Sequence, residues 1–253
     1  MSYLTPTELA AFERDGYVIK PGYFTQSEIQ KLQAKAFNDP ALHKRAWQRN
    51  DSSGTVSKVC IWQELGDDLY SMFSRSKRLS QACEQILGEE VYHTSTKIMM
   101  KEPHVGGAWE WHQDFGYWHG DNLYLYPKQI SCMTAINQMT QENGCLQVLK
   151  ASHHIGRLNH HKVGDQKGAE KRFLDRALEQ LETVYVELSP GDTLIFHCNL
   201  LHKSNQNTSA HPRWSIISAY NALSNQSIAP NEAVYYPFSP VSDEAIERFV
   251  EVK

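Results

Sequence analysis

At Val91 the periodicity of the apolar residues changes, and no other feature constrains the fold as much. Upstream, apolar residues recur at helical spacing. Thr5-Pro6-Thr7-Glu8 reads as a capping box with proline at the first helical position; Leu9 and Phe12 follow on one face, and Gly16 ends the helix. Tyr17-Val18-Ile19 is a short strand. Thr25-Gln26-Ser27-Glu28 opens a second helix with Ile29, Leu32 and Ala36 inward, and Leu69, Met72, Phe73, Leu79 and Ile86 predict one helix over 68–87. Residues 38–56 read as a polar, irregular and mobile segment. Downstream, short apolar runs punctuated by Gly, Asn and Asp predict strands at 91–101, 109–115, 130–138, 145–149, 183–188, 193–198 and 214–221. A helix over about 169–182 and a short one after Ser242 complete the list. Such a series of short strands suits an antiparallel sandwich or barrel. The expected fold is mainly β with helices, in one domain. A double-stranded β-helix (jelly-roll, cupin-like) core over about 91–222 carries a helical layer over about 1–90 and a C-terminal extension over 223–253.

Composition excludes several function classes. The 253 residues carry a formal net charge of −4, so no basic field points to nucleic acid or an anionic membrane. No apolar run reaches the roughly 18 residues of a spanning helix. Met1-Ser2-Tyr3-Leu4-Thr5-Pro6 lacks the basic and apolar regions of a secretory signal. Five scattered cysteines without a C-x-x-C pair read as reduced, buried thiols in a cytoplasmic protein.

One constellation carries chemistry. His112-Gln113-Asp114 lies in an aromatic-rich stretch, Trp109 to Trp118, and His202 follows ninety residues later at the end of an apolar run opened by Gly191-Asp192. On a strand, His112 and Asp114 would share one face. A second imidazole from a distant strand then completes three ligands on one side of a metal and leaves the other side open, as in non-haem Fe(II) oxygenases. Arg213, eleven residues past His202, offers a guanidinium for an anionic cosubstrate.

With its neighbours, this constellation resembles the phytanoyl-CoA dioxygenase family of Fe(II)/2-oxoglutarate oxygenases. Five fragments in order carry the likeness: Leu4-Thr5-Pro6 through Gly16-Tyr17-Val18, the H-Q-D triplet, Asn143-Gly144-Cys145-Leu146, Gly191-Asp192, and His202-x-Ser204-x-x-Asn207 through Arg213. There are departures: Lys150-Ala151-Ser152-His153 replaces P-G-S-H, and Met133 stands where some members have a Trp. Both bear on pocket shape. Asp114 is present, whereas family halogenases lack that carboxylate, so hydroxylation is favoured.

The resemblance implies Fe(II) on His112, Asp114 and His202, with 2-oxoglutarate and O2 as cosubstrates. Arg213 and Ser204 would hold the far carboxylate of 2-oxoglutarate; Lys97, Lys58, Met133 and Thr134 would line its pocket. Trp118, Tyr117 and Gln113 are expected to face the substrate. The expected activity is hydroxylation or related oxidation of a small polar metabolite such as an amino acid, an aminophosphonate or a secondary-metabolite intermediate. Acyl-CoA hydroxylation, a non-oxygenase metalloenzyme and a non-catalytic binding protein on the same jelly roll stay open. Neither nucleic acid nor membrane is an expected partner. His153, His154, His160 and His161 read as a polar loop at the cavity entrance rather than a second metal site, and His197, odd-spaced from His202, should point elsewhere.

Overall fold

Both capping boxes form. In the computed structural model, which describes residues 2–121, 123–229 and 237–250, Thr5 and Thr25 cap helices α1 (Pro6–Asp15) and α2 (Gln26–Phe37), and each is answered by the glutamate three residues on. The strand β1 (Tyr17–Lys20) lies between them. The segment expected to be irregular instead contains a helix and half a hairpin. Asp39 accepts hydrogen bonds from the amides of Ala41 and Leu42, and Pro40 starts α3 (Pro40–Arg45). β2 (Trp47–Asn50) then pairs with β3 (Val56–Trp62). Asp51 builds the turn by accepting from the amides of Ser53 and Thr55, and its second oxygen takes the amide of Ala108. The single helix expected over 68–87 is two, α4 (Leu69–Arg75) and α5 (Lys77–Leu87). Ser76, extended at ψ 131°, ends one and caps the other while bridging to Val241.

From Val91 the strands follow closely. β4 (Val91–Lys101) and β5 (Trp109–His112) come first, then a short helix α6 (Asp114–Gly120), β6 (Gln129–Ala135) and β7 (Leu146–Leu149). A hairpin that the apolar pattern does not announce follows: β8 (His160–Val163) and β9 (Gln166–Ala169). It leads into α7 (Lys171–Gln180), β10 (Thr183–Val186), β11 (Thr193–His197), β12 (His202–Ser204) and β13 (Arg213–Ala222), with α8 (Ala245–Arg248) last. The C-terminal extension expected over 223–253 lies partly outside the described residues.

Two antiparallel sheets face each other. The larger has the order β1-β11-β6-β13-β4-β3-β2 and the smaller β10-β7-β12-β5. Alternation along each strand divides the larger sheet's residues between two cores. Met133, Ala135, Leu194 and Phe196 point inward against Leu146, Val148 and Val186 of the smaller sheet. Ile98, Met100, Ile130, Cys132, Ile195 and Ile216 point outward, where Phe12, Ile29, Leu32, Phe73 and Leu79 of the helices cover them. This is the expected jelly roll with its helical layer, and the space between the sheets near β5 and β12 stays open. All five cysteines are free and buried, and no described helix is long and apolar enough to cross a membrane.

Candidate metal and anion site

The last residue of β5 and the first of β12 meet. His112 and His202 are register partners, with ring centroids 4.1 Å apart. Each Nδ1 faces a carbonyl that can only accept: His112 donates to Glu110 O at 2.7 Å and His202 to Leu200 O at 2.9 Å. The proton is therefore held on Nδ1 and the Nε2 lone pair points into the cavity. Asp114 arrives differently from the sequence expectation. The strand ends at His112, the chain turns at Gln113, and Asp114 is the first residue of α6. The turn, and not strand alternation, brings the carboxylate round. Its Oδ1 lies 3.9 Å from Nε2 of both histidines, and its Oδ2 accepts a hydrogen bond from Ser131 at 2.6 Å.

The three donors lie within 4.8 Å of one another and all three residues are buried. Burial, reinforced by the neighbouring His202, pushes the His112 pKa well below its ordinary value, and burial lowers that of His202 too. Burial alone would raise the Asp114 carboxyl. Lys97, the two imidazoles and Ser131 outweigh it and hold the pKa at about 2. At neutral pH two neutral imidazoles and one carboxylate face a common point. That donor set, without thiolate and with an open side, fits Fe(II) and not a closed structural zinc site.

Arg213, at the start of β13, is 2 % exposed and donates from Nε and Nη2 to Gly144 O, at 3.1 and 2.7 Å. Its register partner on β4 is Lys101, fully buried, whose Nζ donates to Asn205 O. Burial lowers the Arg213 pKa to about 10, and burial followed by the nearness of Arg213 lowers that of Lys101 strongly. Neither side chain forms an ion pair among the described residues. A buried guanidinium whose only acceptor is a carbonyl is costly unless an anion joins it. Ser204, buried, lines the same cavity from β12.

The lysines differ from the sequence expectation. Lys101 stands beside Arg213, and Lys97 does not. Lys97 is paired with Ile217, four residues along the strand, roughly 13 Å away at the usual rise per residue. It lines the cavity at the metal end, with Nζ 5.8 Å from the centre of the Trp118 ring. Lys58 is a correction: Val59 and Ile61 of β3 line the cavity, so alternation turns Lys58 to the other face. Thr134 is another, since Met133 faces the cavity while Thr134 turns away to meet the Thr193 hydroxyl at 2.8 Å. Gln113 is the third. It is fully buried, donates to Gly156 O and Asn199 O, and accepts from Leu158 N, so its amide is already engaged by backbone.

Tyr117 and Trp118 do line the cavity, which has a volume of about 620 Å³. The Tyr117 hydroxyl both donates to and accepts from the Lys167 backbone, so its ring, not its hydroxyl, is presented. His160 of β8, expected at the cavity entrance, also lines it, as do Trp47 and Arg49 of β2, which the sequence reading passed over. The short β2–β3 hairpin is of mixed polarity and carries no periodic signal, so nothing local marked Trp47 and Arg49. The histidine cluster divides. His160 reaches the cavity, His161 is exposed, and His153 stacks on His154 and His197, away from it.

Comparison with known proteins agrees with this geometry. The family model described as phytanoyl-CoA dioxygenase matches residues 12–215. Ectoine dioxygenase of Bordetella bronchiseptica is 26 % identical over 236 residues, spanning 88 % of this chain and 77 % of that protein. L-Proline trans-4-hydroxylase of Streptomyces griseoviridis is 26 % identical over 242 residues, 90 % of this chain and 89 % of its own length. In fold, the crystal structure of EctD from S. alaskensis with 2-oxoglutarate and 5-hydroxyectoine superposes with a TM-score of 0.76 at 24 % identity, covering 94 % of this chain and 87 % of that one. The match over residues 12–215, on a jelly roll that brings His112, Asp114 and His202 together, shows that the chain belongs to the phytanoyl-CoA dioxygenase family of Fe(II)- and 2-oxoglutarate-dependent oxygenases.

Proposed function

We propose that this chain hydroxylates an aliphatic C–H bond of a small, carboxylate-bearing metabolite. O2 would supply one oxygen atom to the product and the other to succinate, as 2-oxoglutarate loses CO2. The observation that carries the reading is that one cavity holds both a three-donor metal site and the buried guanidinium of Arg213, which has no carboxylate partner among the described residues. Bound iron would supply the oxygen activation; the chain's own residues do the rest. Ser131 holds one oxygen of Asp114, so the other is turned to the metal point. The Arg213 edge not used by Gly144 remains a two-pronged donor for the far carboxylate of 2-oxoglutarate. Met133, Leu146 and Phe196 make a dry wall beside the metal.

Lys97 supports the substrate class. It lies at the metal end, away from Arg213, against Trp118, and forms no ion pair among the described residues. A carboxylate there, with an apolar ring against the aromatic walls, completes the charge. Ectoine and L-proline, named for the relatives, are small rings of this kind.

The test is anaerobic loading with Fe(II) and 2-oxoglutarate, then O2 with a panel of cyclic amino acids, their N-acyl and amide forms, and aminophosphonates, scored by succinate release. Stimulation by carboxylates is expected. Succinate formation that no member stimulates would reject the substrate class, and absence of any 2-oxoglutarate turnover would reject the activity.

A further inference from the structure

The turn between the two ligands at His112 and Asp114 is held by a residue from elsewhere in the chain. α6 begins at Asp114, yet Gln113, its N-cap residue, gives it no side-chain cap. The Gln113 side chain is spent on Gly156, Leu158 and Asn199. Its backbone amide points the other way, to Nε2 of His160 at 2.9 Å. Nδ1 of His160 lies 3.0 Å from Leu158 O, which can only accept. The proton is therefore on Nδ1, and Nε2 is a lone-pair acceptor. The ring sits directly on the first turn of α6: a Cβ at Gly116 would fall 2.0 Å from His160 Cε1. A second tie lies one turn on, where Tyr117 is fastened through its hydroxyl to the Lys167 backbone of β9 and sets its ring edge against His112, with centroids 5.4 Å apart.

We propose that His160 is a positioning residue for the metal-binding turn: by accepting the Gln113 amide hydrogen bond it fixes the peptide between His112 and Asp114, and so the mutual orientation of two of the three ligands. The peptide joining His112 to Gln113 carries that N–H, so rotating it swings the imidazole and the carboxylate relative to each other. Without an acceptor, the amide would be a buried donor seeking another partner, and rotation is its way out. The β8–β9 hairpin is thus part of the metal site, although it supplies no ligand.

The test uses Co(II) alone as probe, with affinity and visible ligand-field bands as readouts beside thermal unfolding. His160→Leu keeps bulk and loses the acceptor. It should weaken Co(II) binding about 10- to 100-fold, the usual effect of losing a group that orients a ligand, and alter the bands. His160→Gln restores a carbonyl acceptor and should return affinity to within about threefold of the parent. Gly116→Ala should behave like His160→Leu, because the added methyl displaces the ring. A lowered unfolding temperature with unchanged affinity and bands, or a Gln variant no better than Leu, overturns the proposal. Should the variants fail to fold, nitrogen NMR of the parent decides: Nε2 of His160 should be unprotonated and coupled through the hydrogen bond to the Gln113 amide, and a protonated Nε2 overturns it.

Discussion

Gly144 O receives two hydrogen bonds from Arg213, 3.1 Å from Nε and 2.7 Å from Nη2. This contact links two motifs that lie far apart in sequence. Asn143 builds the turn, its Oδ1 accepting from Thr140 N and its Nδ2 donating to Gln138 O, and Gly144 follows at φ +76°. A Cβ at Gly144 would meet Asn205 O at 2.3 Å. The glycine therefore serves both the turn and the close approach, and its carbonyl aims the guanidinium.

Gly144→Ala should accordingly loosen the cosubstrate clamp and leave the metal ligands alone. Strain at this position, of order 1–3 kcal/mol, corresponds to a rise of roughly 5- to 150-fold in KM for 2-oxoglutarate. Co(II) affinity of the variant, measured alongside, should match the parent; parallel losses would refute the division.

Arg213→Leu should raise the 2-oxoglutarate requirement by about 2–5 kcal/mol, the cost of leaving one partner of a buried charge pair unpaired. Titration with 2-oxoglutarate measures it, and an unchanged requirement would reject the clamp.

Asp114→Ala should abolish metal-dependent succinate formation with the fold retained by circular dichroism. Ser131→Ala removes only the 2.6 Å hydrogen bond to Oδ2 and should cost about 10- to 100-fold in metal affinity. A Ser131 variant with unaltered affinity would show that the carboxylate is held by other means.

Lys97→Met separates the two ends of the cavity. KM for a carboxylate substrate should rise about 10-fold or more, while KM for 2-oxoglutarate stays near the parent value, because Lys97 is four strand positions from the Arg213–Lys101 pair. The opposite split would return Lys97 to the cosubstrate.

Acid should destabilise the metal-free protein early. Burial depresses the pKa values of His93, His160 and His197 to about 4, against roughly 6.5 in an unfolded chain. Between those values the unfolded state binds the protons that the folded state refuses. The stability is present above about pH 6.5 and declines as pH falls towards 4, with about 2 kcal/mol lost per ring by pH 5. Urea midpoints at pH 7 and pH 5 measure it; equal midpoints would refute neutral burial of these rings.

Much of this is legible in the sequence alone. The strand Val91–Lys101 and the capped starts of α1 and α2 matched their expected bounds, because periodicity and capping are local signals. The triad was legible too, though not from His-x-Asp alone, which recurs at His119 and Asp121: Asn143-Gly144-Cys145-Leu146 between its halves, and Ser204 and Arg213 after His202, set it apart. The long helix expected over 68–87 failed at Ser76, where pairing with Val241 overrode helical spacing.

What local pattern could not convey is register and direction. Asp114 reaches the metal point because the chain turns into α6 at Gln113, a turn secured by His160 from a distant hairpin. Lys101 and not Lys97 stands beside Arg213 because β4 and β13 pair in that register, and Lys58 faces away because alternation on β3 gives the cavity to Val59 and Ile61. Residue types and their order along the chain set the chemistry, since a metal and an anion each demand particular donors. Strand pairing, which depends on contacts between segments far apart in sequence, chose which of several equivalent lysines and histidines meets them.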